Sequence, residues 1–467
     1  MTHKNASVLA LITAAGLLAA CGSSNSAITS PVPDAGGHDA PPSTPPLCPI
    51  VVADADCDKS QRPFVFVHGT YGSGDNFAHV AALLGSNGFC QDRIVTIEYN
   101  SLGEQPATNG KLDAAIDKVL QDNPGFTQVD LAGHSQGTSH CGTYLRDAAH
   151  AAKVAHYVNF SGSPAVADVE TLSLSSLRDL QNTPHHATGT RVTTVTFTDE
   201  DHFAVAASTN AFTEVYKYLR GGEAPKYTQV QCGADPITIE GVAETFADNV
   251  PVTGKVEINE VGDVPRVGKA IMEVQPDAAG HFGPIQLKRD VAYELKGFDS
   301  QGKLVGYQYL TPFKRSNRLL RMLAPSGMPL VAMNSTDHVV RGPGHAGLVV
   351  RWTGGAFRQD LGASLTIDGA EVLTSEVAGA AALTNRNLAG GVVGLFLYDA
   401  NTSGATDLGL VHSAPFIAFT DVFIDASTPK FVDLSFTAGT EDSSAVGIKA
   451  KVANWPSADA LVNVVFQ

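Results

Sequence analysis

Gln128-Val129-Asp130-Leu131-Ala132-Gly133-His134-Ser135-Gln136-Gly137-Thr138-Ser139-His140-Cys141-Gly142-Thr143-Tyr144-Leu145 is the stretch whose reading decides the fold. An apolar-polar run enters Gly133-His134-Ser135-Gln136-Gly137 and a helix-forming segment leaves it, which is strand, sharp turn, helix. A serine at the tip of such a turn is forced into a tight backbone conformation that pushes its hydroxyl away from the sheet. The flanking residues are glycine because a side chain there would collide with the neighbouring strand or helix. The amide of Gln136, at the helix N-terminus, is then free to stabilise an oxyanion. The five-residue pattern alone is common by chance, so its surroundings must carry the argument.

Working outward, Pro63-Phe64-Val65-Phe66-Val67 is a short apolar run, as expected of a central parallel strand covered on both faces. It enters His68-Gly69-Thr70-Tyr71-Gly72-Ser73-Gly74, whose glycines let the backbone approach a ligand closely. Thr70 or its neighbour Tyr71 would supply a second oxyanion amide. Residues 76–84 have helical spacing, 93–99 read as a strand, and 111–120 form an amphipathic helix with Leu112, Ile116, Val119 and Leu120 on one face. Lys153–Phe160, Val169–Ser176 and Val192–Phe197 read as three more strands, and Ala211–Leu219 as a helix. Alternating strands and helices predict an α/β fold with a mostly parallel sheet over about 48–232.

Two of those strands end in chemistry. Asp179 lies just past the strand ending at Ser176, and His202 just past the one ending at Phe197. The C-terminal edge of a parallel sheet is where reactive groups gather, and Ser, Asp, His is the chain order of the α/β-hydrolase fold. Asp201 and Asp199 are rival acids. Asp201 adjoins His202, and neighbouring side chains in an extended segment point apart, so Asp179 is the better orienter. The His185-His186 pair sits in a polar loop and is not read as a metal site.

Residues 60–230 resemble the α/β-hydrolase lipases and esterases, most closely an archaeal two-domain carboxylesterase/lipase with a β-rich C-terminal domain. The matching stretches are Phe66-Val67-His68-Gly69, Val129-Asp130-Leu131 with Gly133-His134-Ser135, Ala152–His156, the ending at Asp201-His202, and the helix from Ala211 with Arg220-Gly221-Gly222. The resemblance implies a serine carboxylic-ester hydrolase in which Ser135 and His202 act directly, on an ester or lipid substrate and with no cofactor. It does not carry the acid: the archaeal lipase places that group after the strand matching Lys153–Phe160, where this chain has Ser161. The archaeal lid insertion is also missing, since only residues 100–110 intervene, so an open site is expected.

After Cys232 the pattern changes to short alternating runs such as Ile237–Gly241, Lys255–Ile258, Tyr293–Phe298, Gly347–Trp352, Val392–Leu397, Phe416–Phe419 and Leu461–Phe466. These predict an all-β sandwich or barrel over 233–467. Phe282–Ile285, Tyr293–Leu295 and Tyr307–Arg321 resemble the archaeal lipase's C-terminal domain, which implies lipid or substrate binding; a purely structural role has equal standing. Lys314-Arg315-Ser316-Asn317-Arg318 could face an anionic head group or simply solvent.

The chain has 467 residues, 43 % hydrophobic and 17 % charged, with a net charge of −16, which speaks against nucleic acid as a partner. Lys4 followed by the apolar run 8–17 and Leu18-Ala19-Ala20-Cys21 resembles a bacterial lipoprotein signal over 1–20, with acylation of Cys21. Gly22 after it favours the outer membrane. Residues 21–47 form a flexible tether. Five cysteines remain, allowing at most two disulfides; Cys48 with Cys57, or either with Cys90, are open pairings, and Cys141 behind Ser135 reads as a buried thiol. A polyester depolymerase, or an inactive surface binding protein working through its β domain, are the alternative readings.

Overall fold

Phe64-Val65-Phe66-Val67 forms β1 and is wholly buried, which requires cover on both sides. In the computed structural model, which describes residues 48–103, 105–166, 168–179, 184–246, 248–265, 270–325, 339–380, 392–414, 416–439 and 447–467, that cover is present. Residues 1–47, on which the expected signal segment, Cys21 and the expected tether fall, lie outside the described residues.

β1 is joined by β2 (Ile94–Ile97), β3 (Val129–His134), β4 (Val154–Phe160), β5 (Glu170–Ser176) and β6 (Val192–Phe197). The order is β2-β1-β3-β4-β5-β6 with every pair parallel. Helices α1 (Ala78–Ser86), α2 (Gln105–Asp122), α3 (Gln136–Leu145), the short α4 (Ala148–Ala151) and α5 (Ala204–Ala207), and α6 (Thr209–Leu219) pack around it. Because successive strand residues point to opposite faces, Phe64 and Phe66 join α1 and α6 in one core, while Val65 and Val67 join α2 and α3 in another. Each such buried side chain contributes roughly 1.5–3 kcal/mol. The helix expected over 111–120 is longer, starting at Gln105, so the link from β2 is shorter than the sequence suggests.

The remainder is β-rich. A three-stranded sheet runs in the order His281–Leu287, Ile237–Phe246, Asn317–Pro325. A nine-stranded sheet runs Asp407–Ala414, Ile417–Asp421, Gly394–Tyr398, Leu348–Trp352, Val462–Phe466, Leu304–Leu310, Tyr293–Phe298, Lys255–Glu260, Met272–Val274. A four-stranded sheet runs Ala370–Glu371, Ser364–Ile367, Phe431–Thr437, Ile448–Ala453. The nine-stranded sheet packs on each of the smaller two, giving two sandwich cores. The C-terminal strand ties them together: Val462, Val464 and Phe466 enter one core and Val465 the other.

Leu47–Gln467 is a single compact unit. Leu319 of the β part enters the core between the sheet, α1 and α6, and Arg351 pairs with Asp75 at 2.6 Å. Arg315 is buried against Asp54 (2.7 Å) and Ser86 (3.0 Å), and Arg318 pairs with Glu240. Arg315 therefore serves the join between the two parts, and Arg318 is paired within the β part, its side chain about a quarter exposed.

The disulfides are Cys48–Cys232 and Cys57–Cys90. The Cys48–Cys57 pairing is excluded: Cys48 instead meets a cysteine 184 residues away, clasping the two ends of the α/β part. A cross-link over so long a loop stabilises by about 4–5 kcal/mol in the chain-entropy view. Cys141 is free and buried, and burial pushes its thiol up. Non-reducing peptide mapping should return these two pairs, with Cys141 alkylated only after denaturation. A Cys48–Cys57 peptide, or alkylation of Cys141 in the native protein, would contradict the arrangement.

Candidate active site

Ser135 caps α3 with φ 52° and ψ −119°, a region that non-glycine residues enter only under constraint. The constraint comes from close approach on every side. A Cβ on Gly137 would strike the carbonyls of Val67 and His68; one on Gly133 would lie 2.9 Å from Cys141 Sγ; one on Gly69 would lie 2.9 Å from Ser135 Cβ. The β3–α3 turn and the His68-Gly69 loop are thereby pressed together at the C-terminal edge of the sheet.

At the same edge, His202 Nδ1 donates to Asp179 Oδ1 at 2.6 Å, with the carboxylate fully buried and the imidazole nearly so. His134, next to Ser135, fixes the loop bearing His202: its Nε2–H donates to the His202 carbonyl at 2.8 Å, and the two rings lie 4.8 Å apart. Burial, reinforced by the His202 charge, pushes His134 down to about 3, so it remains a neutral donor. Ser135 Oγ makes no hydrogen bond to His202 here; such contacts often tighten only when substrate is bound.

The rival acids are occupied elsewhere. Asp201 accepts from the amides of Phe203 (2.8 Å) and Ala204 (2.9 Å), at the start of α5, and faces Arg358 at 3.8 Å. Burial raises its pKa, opposed by those amides and Arg358. Asp199 is exposed and pairs with Arg178 at 3.2 Å. His186 lies between the hydroxyls of Ser173 (3.2 Å) and Thr196 (2.9 Å).

Of the two amides expected in the His68-Gly69 loop, Tyr71 is withdrawn: its N–H donates to Ser101 Oγ at 2.8 Å, with φ at 62°. The Thr70 amide finds no acceptor among the described residues. Gln136 knits this side together, donating from Nε2 to Ser101 O (2.9 Å) and accepting from Thr70 Oγ1 (3.2 Å). Its own amide, first in α3, has no intrahelical partner.

The β part also reaches the site, which the sequence did not foretell. Phe416, held at φ 66° between two strands, stacks on the His202 ring at 5.7 Å and 16°. Asn249 and Arg321 reach the Thr70 loop from the opposite side. The open site expected from the missing lid insertion is thus bounded by the second part of the chain. No local motif marks these residues, because each contact spans more than 170 positions.

Residues 235–326 match the family model described as lipase C-terminal domain, and a second model, described only as a C-terminal domain, matches 334–467. The chain is similar to lipases and esterases of the α/β-hydrolase fold that carry a C-terminal domain. Among solved structures, Aspergillus fumigatus lipase B is 12 % identical with a TM-score of 0.29, over 37 % of this chain and 56 % of that one. A Bacillus licheniformis lipase in propeptide form is 10 % identical (TM-score 0.28; 56 % and 93 % of the chains). An α/β serine hydrolase without a lid from Xanthomonas campestris is 18 % identical (TM-score 0.25; 37 % and 85 %). The fold assignment rests on the sheet order and the β3–α3 turn, not on these distant matches.

Glu200, beside Asp201, offers a test of the electrostatics. Burial pushes its carboxyl up to about 7, against hydrogen bonds from Asn210 and Ser208 that pull it down. An acid whose folded pKa is raised contributes its full stability below its ordinary value of 4.5 and loses it as pH rises through about 7. Glu200→Gln retains the oxygen that accepts from Ser208 (3.0 Å) and Asn210 (2.9 Å). Its melting temperature should exceed that of the wild type at pH 8 and not at pH 4.5; an equal difference at both pH values would refute the assignment.

Proposed function

We propose that the protein is a serine carboxylic-ester hydrolase, an esterase or lipase working through an acyl-enzyme. The observation that carries this reading is the strained Ser135 turn, sharing one sheet edge with the His202–Asp179 pair at 2.6 Å. Ser135 Oγ attacks the ester carbonyl while His202 Nε2 takes its proton. Asp179 holds Nδ1–H and stabilises the imidazolium that forms. The amides of Gln136 and Thr70 receive the oxyanion, each worth roughly 3 kcal/mol in comparable sites. His202 returns the proton to the departing alcohol. Water, activated by the same imidazole, then attacks the acyl carbonyl, freeing the carboxylic acid and regenerating Ser135. The reading calls for no metal or cofactor.

Apolar groups at the rim support an ester with a hydrophobic portion: Phe416 against His202, and the exposed Leu102 and Leu177, next to Ser101 and two residues before Asp179 respectively. Acylation at Cys21 and the tether over 21–47 would place the enzyme on the bacterial outer membrane, within reach of lipid.

The test is a p-nitrophenyl ester series from acetate to palmitate, combined with labelling by a serine-reactive fluorophosphonate. Ser135→Ala should lose both labelling and hydrolysis. Asp179→Asn should lower kcat by about 10⁴-fold, the loss expected when the orienting acid is removed. Asp201→Asn should stay within about tenfold of wild type, since its partners are backbone amides and Arg358. If the wild type is no faster than Ser135→Ala on every ester, the hydrolase reading fails and the β part becomes the working element of a binding protein.

A further inference from the structure

The Thr70 amide is useful only if the loop around it holds still, and the carbonyls of Tyr71 and Gly72, just after it, are gripped from the β part. At the end of the strand Ile237–Phe246, Thr245 N–H donates to Val250 O at 2.9 Å, and Asn249 beside it stands at φ 52°. Asparagine is one of the few side chains that tolerate that conformation. Asn249 is buried, and its amide nitrogen donates across the join to Gly72 O (2.9 Å) and Tyr99 O (3.1 Å). His68 Nε2 lies 3.5 Å from the same nitrogen. Since His68 Nδ1–H already donates to Gly69 O at 2.8 Å, Nε2 is left as an acceptor.

Behind Asn249 stands Arg321, whose Nη2 donates to Asn249 Oδ1 at 2.6 Å and whose Nη1 lies 3.4 Å from Tyr71 O. Arg321 is itself paired with Glu244 at 2.7 Å, both side chains being almost fully buried. Phe246 sets its ring 6.1 Å from that of Tyr71. The amide of Tyr71 is held by Ser101, its carbonyl by Arg321, its ring by Phe246, and the next carbonyl, of Gly72, by Asn249. Thr70 is the residue between this clamped pair and Gly69, which is wedged against Ser135.

We infer that Asn249, backed by the buried Arg321–Glu244 pair, is a positioning residue that sets the oxyanion loop from the β part of the chain. The inference rests on the ester-hydrolase reading and assigns the β part a role in the chemical step. An amide displaced by about 1 Å from the developing oxyanion loses much of its effect. Removing the clamp should therefore act on the transition state more than on substrate binding.

The experiment uses the full chain with Asn249→Gly, which deletes the amide while keeping a residue at ease at positive φ, and Arg321→Lys, which keeps the charge opposite Glu244 but loses the forked donor. Active sites are counted with the fluorophosphonate, and folding is checked by circular dichroism. Per titrated site, Asn249→Gly should lose about 10–100-fold in kcat with KM changed less than threefold, and Arg321→Lys a smaller loss of the same kind. Affinity for a trifluoromethyl ketone, whose serine adduct carries the oxyanion, should fall in parallel. A merely structural role would reduce the number of titratable sites and leave the rate per site unchanged. Per-site rates within twofold of wild type overturn the inference; if Asn249→Gly does not fold, Arg321→Lys decides it alone by the same criterion. A wild type that neither labels at Ser135 nor hydrolyses esters fails the function itself, whereas an active wild type with unaffected variants fails only the clamp.

Discussion

The backbone of Ser135, held at φ 52° and ψ −119°, is the constraint on which the rest of the structure depends. A non-glycine residue there costs about 1–3 kcal/mol and persists only where the surroundings over-determine it. They do so by removing side chains at Gly69, Gly133 and Gly137, which allows the first loop, the third strand and its helix to meet at van der Waals distance. The strain is offset by the two cores that flank the sheet, and it holds Ser135 at the sheet edge where the His202–Asp179 pair and the amides of Gln136 and Thr70 also gather.

That convergence is assembled from both parts of the chain. The α/β part supplies the serine, the histidine with its buried aspartate, and the free amides of Gln136 and Thr70. The β part bounds the histidine side through Phe416 and Arg358, and the opposite side through Asn249 and Arg321. The Arg315–Asp54 and Arg351–Asp75 pairs and Leu319 in the α/β core lock the two parts in one arrangement. A guanidinium as buried as that of Arg315 tolerates poorly the loss of its carboxylate, since the charge is then left uncompensated. Such a join suits fixed geometry better than a flexible appendage.

What could be read from the sequence was local. The unbroken apolar run Phe64–Val67, the glycines around Ser135, and residues placed just beyond strand ends all follow from rules that act within one element. They sufficed for the parallel sheet and for the neighbourhood of Ser135, His202 and Asp179. Resemblance alone pointed to the position now held by Ser161 for the acid, whereas the strand-end argument pointed to Asp179, whose carboxylate meets His202. What escaped was decided by partners distant in sequence. Tyr71 and Thr70 could not be separated until Ser101 was seen to occupy one amide; Cys48 could not be paired until Cys232 was placed beside it. Arg315 looked like a surface cation because nothing near it in sequence says that Asp54 lies opposite. Asn249 carries no signal beyond being an asparagine in a turn.

The most direct measurement of the account is rapid acid quenching of the full chain with a p-nitrophenyl ester, followed by mass analysis of its peptides. The account predicts a burst close to one equivalent of p-nitrophenol per active site and an acyl group on the peptide bearing Ser135. Ester turnover with no acyl adduct at Ser135, or with the adduct on another residue, would contradict it.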